Sequence, residues 1–445
     1  CADVTGVQTC ALPISPMTSS KRYLALACAL ILPGVAGAEN LNEAWSDAIA
    51  THYQLAAAAA RREAADLNLE SAQAERWPRL DVSSSFTQLD EAPRFDFGGG
   101  TTSQQIFDND NFVQAGVQVS LPLYAGGAIS AGVDAAEFAA EASSEQYEAI
   151  LQDIKLGTGQ HYIGVLRAES GLEVAESNVK TLQAHAELAR QRYEFGAVPK
   201  NDFLAASVAL ADAAQRKLQA ENALDFARAA YNRYLNRPLD QPVSLDPELD
   251  IDGLVPAGES LESLILMATQ QRDELAVLAA EANSLRENST AIRARSRPQF
   301  ALTGGYVYME NAFLDAEEFW MAGVSFQWNL FNAGRNRDRA AALERQALAV
   351  NHTRSDVLSS ISLQVRRAWN DRQEADARTH VAESAVDQAI ENLRVVQNRY
   401  EAGSSANIEV LDAETLREQA LSNRDNARYE LALAKLRLAR AVGVL

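Results

Sequence analysis

"RYEFGAVPKNDFLAA" (Arg192–Ala206) returns as "RYEAGSSANIEVLDA" (Arg399–Ala413), 207 positions further along the chain. Each copy spells the basic end of one helix, a glycine able to take the positive φ that closes it, and an acidic start to the next helix. The same offset places "LYAGG" (Leu123–Gly127) on "LFNAG" (Leu330–Gly334) and Leu235 on Val442 without a gap. Upstream the offset becomes 220, so that Leu41 meets Leu261 and Pro78 meets Pro298. The chain therefore reads as a tandem duplication, with a first repeat over 39–236, a Pro/Asp-rich linker over 237–260 and a second repeat over 261–445.

Each repeat predicts a moderate helix (41–76; 261–297), two strands, a very long helix (128–195; 335–402) and a second moderate helix (199–236; 406–442). A long helix of this kind reaches about 100 Å and a moderate one about 55 Å, so two moderate helices end to end match one long one. Ala382, Val386, Ala389, Leu393, Val396 and Tyr400 step by four and three, and Ala175, Val179, Leu182, Ala186, Ala189 and Tyr193 keep the same register in the first repeat. That spacing predicts coiled-coil packing.

The strand segments alternate strictly. Val113, Ala115, Val117, Val119, Leu121 and Leu123 interleave with small or polar residues, as do Trp320, Ala322, Val324, Phe326, Trp328 and Leu330. Leu80, Val82 and Phe86 give a weaker third segment, and Phe300, Leu302, Tyr306 and Tyr308 a fourth. Strands of about ten residues with an apolar, aromatic face suit an outer-membrane barrel, lipid outside and water inside. Four strands cannot close a barrel, and an open edge in hydrocarbon leaves backbone groups unpaired. Several chains must then contribute: twelve strands from a trimer would enclose a water-filled bore, eight from a dimer would leave little room. The loop Asp90–Asn111 is polar and glycine-rich, as an outward-facing loop would be.

Residues 1–16 show no targeting or structural period and are read as foreign to the protein, with Met17 as its start. Lys21-Arg22, an apolar stretch to Leu32 and Ala36-Gly37-Ala38 read as a secretory signal cleaved before Glu39. Cys1, Cys10 and Cys28 all precede that cut, so the exported chain is expected to lack thiols and disulfides. The full chain carries 40 basic and 60 acidic residues, and removal of 1–38 takes the net charge from −20 to −21. So acidic a protein disfavours nucleic acid. No nucleophile elbow, phosphate loop or metal-binding histidine pair appears among His52, His161, His185, His352 and His380, so no catalysis, metal or cofactor is expected.

Signal, duplicated helix-strand-strand-helix-helix units and paired glycine turns together resemble the TolC family of outer-membrane channel-tunnels. The pieces that carry the resemblance are "RWPRLDVS" and "RSRPQFAL" entering the strands, "LPLYAGG" and "NLFNAGR" leaving them, and the two glycine turns. The likeness implies a homotrimer in the outer membrane of a Gram-negative bacterium. Its twelve strands would form an open barrel among the lipids, and its helices a periplasmic tunnel belted by the linker. It also implies an exit duct for a tripartite efflux pump or a type I secretion system, docking a periplasmic adaptor and an inner-membrane pump or ABC exporter.

The family's pore constriction maps to Glu409 and Asp412, and its closed-state tyrosine–acid pair to Tyr400 and Asp202. The basic residue that the family carries two positions after the second glycine is Ser405 here, with Lys200 as the alternative latch. Phe195, Gly196, Ala197, Ala402, Gly403 and Ser404 would form the rim that meets the adaptor. The competing class is a soluble periplasmic coiled-coil adaptor or scaffold, which has no need of four strands with an aromatic face.

Overall fold

The computed structural model describes residues 38–91, 94–96, 103–105, 110–256, 258, 260–310 and 316–445. The expected signal segment and most of the Asp90–Asn111 loop lie outside them. Glu39–Leu445 forms one compact unit.

The first repeat runs α1 (Leu41–Thr51), α2 (Tyr53–Ala74), β1 (Arg79–Gln88), the short strands β2 (Arg94–Asp96) and β3 (Ser103–Gln105), β4 (Asn111–Tyr124), α3 (Ala128–Glu194) and α4 (Lys200–Tyr234). The second runs α5 (Leu261–Gln271), α6 (Asp273–Ala294), β5 (Gln299–Met309), β6 (Glu318–Gln327), α7 (Arg335–Glu401) and α8 (Asn407–Val442). Both long helices have 67 residues, about 100 Å each. Among the described residues no helix is apolar enough to cross a membrane.

Two features differ from the sequence expectation. Each first moderate helix is two helices, broken at His52 (φ −73°, ψ 121°) and at Arg272 (φ −80°, ψ 113°), which are repeat counterparts. Neither glycine nor proline marks the break; side chains stabilise it. His52 Nδ1 accepts from Gln54 N at 3.2 Å and its ring lies on Tyr234 at 4.9 Å, while Arg272 pairs with Glu274 at 2.8 Å. The second difference is the β2–β3 pair, a short antiparallel hairpin within the segment read as loop.

The main sheet is antiparallel in the order β1-β4-β5-β6, so the two repeats join through β4 and β5 and leave β1 and β6 at the edges. Register aligns the apolar positions into continuous rows: Val82, Val117, Tyr306 and Trp320 form one, and Leu80, Val119, Gly304 and Ala322 the next. Leu80, Val82, Phe86, Trp320, Val324 and Phe326 are all exposed.

The helices pack around the chain's middle. Leu41, Tyr162, Ile163, Tyr231, Leu235, Val243, Leu245, Ile251 and Leu436 bring α1, α3, α4, the linker and α8 into one core. The linker is tied there, Glu39 N donating to Ser244 O and Asp246 N to Glu39 O, both at 2.9 Å, with the Tyr162 hydroxyl donating to the carbonyls of Glu39 (2.7 Å) and Asp246 (2.8 Å). Towards the glycine turns the core narrows to coiled-coil layers of Leu393, Val396, Tyr400, Val410 and Ala413, with Ala186, Ala189 and Ala206 in the other helix pair.

Candidate gate at the paired glycine turns

Arg192 and Arg399 stand in the last turns of α3 and α7, and each helix closes by the same backbone pattern. Gly196 N donates to Tyr193 O (2.9 Å) and Ala197 N to Arg192 O (2.8 Å); Gly403 N donates to Tyr400 O (3.0 Å) and Ser404 N to Arg399 O (2.8 Å). Gly196 and Gly403 have φ of +69° and +72° with open space where a Cβ would sit. Backbone conformation, not crowding, therefore calls for glycine. Phe195 is 87% exposed, and Gly196, Ala197, Ala402, Gly403 and Ser404 are exposed beside it.

The returning helices begin without a side-chain cap from Pro199 or Ala406. Glu409 compensates in the second repeat by accepting from Ala406 N at 3.4 Å, and Arg399 approaches its carboxylate at 3.5 Å. The neighbouring Ser405 hydroxyl, then the Ala406 N–H and the Arg399 guanidinium, hold Glu409 below the usual carboxylate range; the Ser405 Oγ nevertheless lacks a hydrogen bond of ordinary geometry. Asp412 is exposed, one turn along the same helix face.

Tyr400 is 3% exposed. Arg192 lies over its ring at 4.7 Å and His185 against it at 5.2 Å. The family resemblance pairs Tyr400 with Asp202, but no hydrogen bond joins them: the Tyr400 hydroxyl is buried and unpartnered among the described residues. Asp202 is engaged otherwise, its carboxylate accepting from Asn201 Nδ2 (3.1 Å) and its carbonyl from Asn407 Nδ2 (3.2 Å). What remains is electrostatic: burial first, with Asp202 adding, raises the Tyr400 phenol against the opposing pull of Arg192. Lys200, the alternative latch, makes no ion pair among the described residues.

Three features escaped the sequence reading. Arg192 forks across to the end of α7, donating to the carbonyls of Tyr400 and Glu401, both at 2.6 Å. His185, 7% exposed, shares a 2.7 Å hydrogen bond with Asn407 Oδ1. Deeper in the α3–α8 seam, buried Glu414 holds Arg417 at 2.5 Å, Arg417 reaches Ser177 and Thr181 at 3.4 Å, and Asn178 donates to Glu418 at 2.5 Å. His185, Asn178, Thr181, Asn407, Glu414, Arg417 and Glu418 have no like-type counterpart in the other repeat, so the repeat signal could not single them out. Among the described residues no group of His, Cys, Asp and Glu could hold a metal ion.

The geometry meets known proteins over nearly its full length. Outer membrane protein TolC of Vibrio cholerae is 26% identical over 417 residues, covering 92% of this chain and 91% of the relative. The alkaline protease secretion protein AprF of Pseudomonas aeruginosa is 24% identical over 317 residues, covering 68% of this chain and 64% of the relative. Among solved structures, the outer membrane protein VceC of Vibrio cholerae shares the fold with a TM-score of 0.75 at 18% identity, covering 91% of this chain and 96% of that one. Residues 44–237 and 264–444 match the profile of the outer membrane efflux protein family, one segment in each repeat, and the chain belongs to that family.

Proposed function

We propose that this outer-membrane exit duct for efflux or secretion works as a homotrimer, in which four strands from each of three chains close one barrel and the long helices form a periplasmic tunnel gated at the glycine turns. The observation that carries the reading is the four-stranded sheet whose edges β1 and β6 have no partner strand among the described residues while its apolar rows are exposed. In hydrocarbon each unpaired backbone group costs several kcal/mol, and joining β6 of one copy to β1 of the next removes the edge.

The repeats support the same assembly. Inside the chain, β4 of the first repeat pairs with β5 of the second and α3 packs on α6 and α8. Repeating that junction between chains sets β6 on β1, and α7 on α2 and α4, of the neighbour. The division into a first repeat (39–236), a linker (237–260) and a second repeat (261–445) follows, with the linker belting the tunnel's middle.

At the tip, Glu409 and Asp412 present carboxylates that three-fold symmetry gathers into rings around the bore. At about 6 Å and an effective dielectric near 20, each like-charged pair repels by about 3 kcal/mol. A closed tip therefore needs compensating contacts, and Tyr400, Arg192 and Asp202 stand where such contacts act. The rim of Phe195, Gly196, Ala197, Ala402, Gly403 and Ser404 suits a periplasmic adaptor, which couples the duct to an inner-membrane pump or ABC exporter. Replacing both Gly196 and Gly403 by leucine is expected to abolish transport while trimers persist in the outer membrane; unimpaired transport by those trimers would overturn the assignment of the turns.

A further inference from the structure

Arg192 and Arg399 occupy the same position of the two repeats and are used differently. Arg192 crosses to the next helix and satisfies the last carbonyls of α7, so Tyr400 O receives both Gly403 N and Arg192, and Glu401 O receives Arg192. The corresponding end of α3 has no such cap: Tyr193 O receives Gly196 N, and among the described residues no side chain donates to Tyr193 O or Glu194 O. Among the described residues Arg399, whose side chain is half exposed, has only a 3.3 Å contact to Ser404 O and a 3.5 Å contact to Glu409. One helix end lacks a cap and one arginine lacks a helix end.

We propose that Arg399 caps the α3 C-terminus of a neighbouring copy of this chain, donating to the carbonyls of Tyr193 and Glu194 as Arg192 donates to those of Tyr400 and Glu401 within the chain. The inference rests on the trimeric reading above and adds a specific contact to it. The partner is a second copy because the chain already contains the template. The β4–β5, α3–α6 and α3–α8 junctions join repeat to repeat, and the same step taken from the second repeat leads to the first repeat of another chain.

Exposure agrees. Ala135, Ala142, Ala149, Asn178 and His185 of α3 are buried, whereas their counterparts Ala342, Ala349, Asp356, Ala385 and Asn392 on α7 are exposed. One flank of α7 is thus bare where the matching flank of α3 is covered. A guanidinium suits the role because its planar fork offers parallel N–H groups to two adjacent carbonyls at the negative end of a helix.

The tip ring would then be closed by alternate ties of one kind, Arg192 within each chain and Arg399 between chains. The interchain tie supplies the basic contact that Ser405 does not. Arg399 also has a second destination, since in the single chain it approaches Glu409. Opening that breaks the interchain tie leaves the guanidinium beside one of the carboxylates lining the bore.

Cysteine pairs test the contact in the full-length protein with Cys1, Cys10 and Cys28 replaced by serine. Arg399→Cys combined with Glu194→Cys, treated in outer-membrane fractions with a short bismaleimide, is expected to give covalent dimers and trimers. Arg192→Cys with Glu401→Cys calibrates the reach and joins only within one chain. Trimers on a native gel that yield no ladder would overturn the Arg399 cap and leave the assembly standing; monomers on that gel would overturn both. In planar bilayers Arg399→Ala trimers should occupy the open state about tenfold more often, the scale of one lost hydrogen bond from a charged donor. Arg399→Lys, a point charge without the fork, should fall between. Arg399→Ala trimers with parental open occupancy would also reject the cap.

Discussion

α3 and α7 have the same length, the same glycine turn and the same heptad, and differ in what covers them. Both bury the inner heptad positions, Leu182 and Ala189 on one and Leu393 and Val396 on the other. On α3 a second flank is also closed, where Ala135 O takes the Ser284 hydroxyl of α6 at 2.8 Å and Asn178 and His185 meet α8. The matching flank of α7 carries Ala342, Asp356, Ala385 and Asn392, and is open. Small residues persist on both flanks although only one is filled within the chain. Alanine confers no solubility on an exposed surface, but it permits close approach of another helix, so the bare flank has the composition of an interface.

The strongest way to break the comparison is to exchange its chemistry. Asp356 is tolerated on α7 in the open; its counterpart Ala149 on α3 is 3% exposed. Ala149→Asp buries an unpaired carboxylate and is expected to lower folding stability by at least about 3 kcal/mol, read as a fall in the melting temperature of detergent-solubilised protein. A variant that melts with the parent would mean that this flank of α3 is not a closed interface. Ala342→Arg probes the open flank instead. Within one chain it should change folding by less than about 0.5 kcal/mol, because the site is exposed and unbonded. It should nevertheless eliminate trimers on native gels, since α2 of the neighbour would meet a guanidinium where α3 offers α6 only the small side chain of Ala135. Normal trimers from Ala342→Arg would show that no second copy covers this flank.

Local periodicity made most of this architecture legible. The heptad ends of α3 and α7 were readable to within a residue because a glycine at positive φ marks a helix stop by backbone conformation alone, independent of neighbours. The four long strands were readable because alternation survives whatever the sheet packs against. The breaks at His52 and Arg272 were not, since the apolar spacing runs through them and their long-range partners, the Tyr234 ring on His52 and the Ala441 carbonyl that accepts from Arg272, are tertiary. β2 and β3 carry "RFD" and "SQQ", too short to show any period. At the tip, residue types announced acids beside glycine turns. Burial decided which groups interact: it leaves the Tyr400 hydroxyl unpartnered and puts Arg192, rather than Asp202, against the ring.

His185 and Asn392 give the finest form of the comparison, one counterpart titratable and buried, the other neutral and exposed. Asn407 Nδ2 already donates to Asp202 O, so its Oδ1 faces His185 Nε2, which must carry the proton. Burial first lowers the imidazole from its ordinary value of 6.5, and Arg192 adds to that, while the Asn407 hydrogen bond and buried Glu414 favour the cation. The net direction is downward, so the closed seam holds neutral His185. Its contribution is complete above pH 6.5 and is lost as the pH falls below that value, because separating α3 from α8 lets the ring take up a proton. Between roughly pH 7.5 and 5, amide exchange over 407–413, corrected for intrinsic rates, should accelerate as the seam weakens. His185→Gln keeps a donor for Asn407 and removes the titration, so its seam should be flat over the same range. An identical pH response in that variant would transfer the effect to Glu418, whose carboxyl burial raises above the usual range, and the buried histidine would be packing alone.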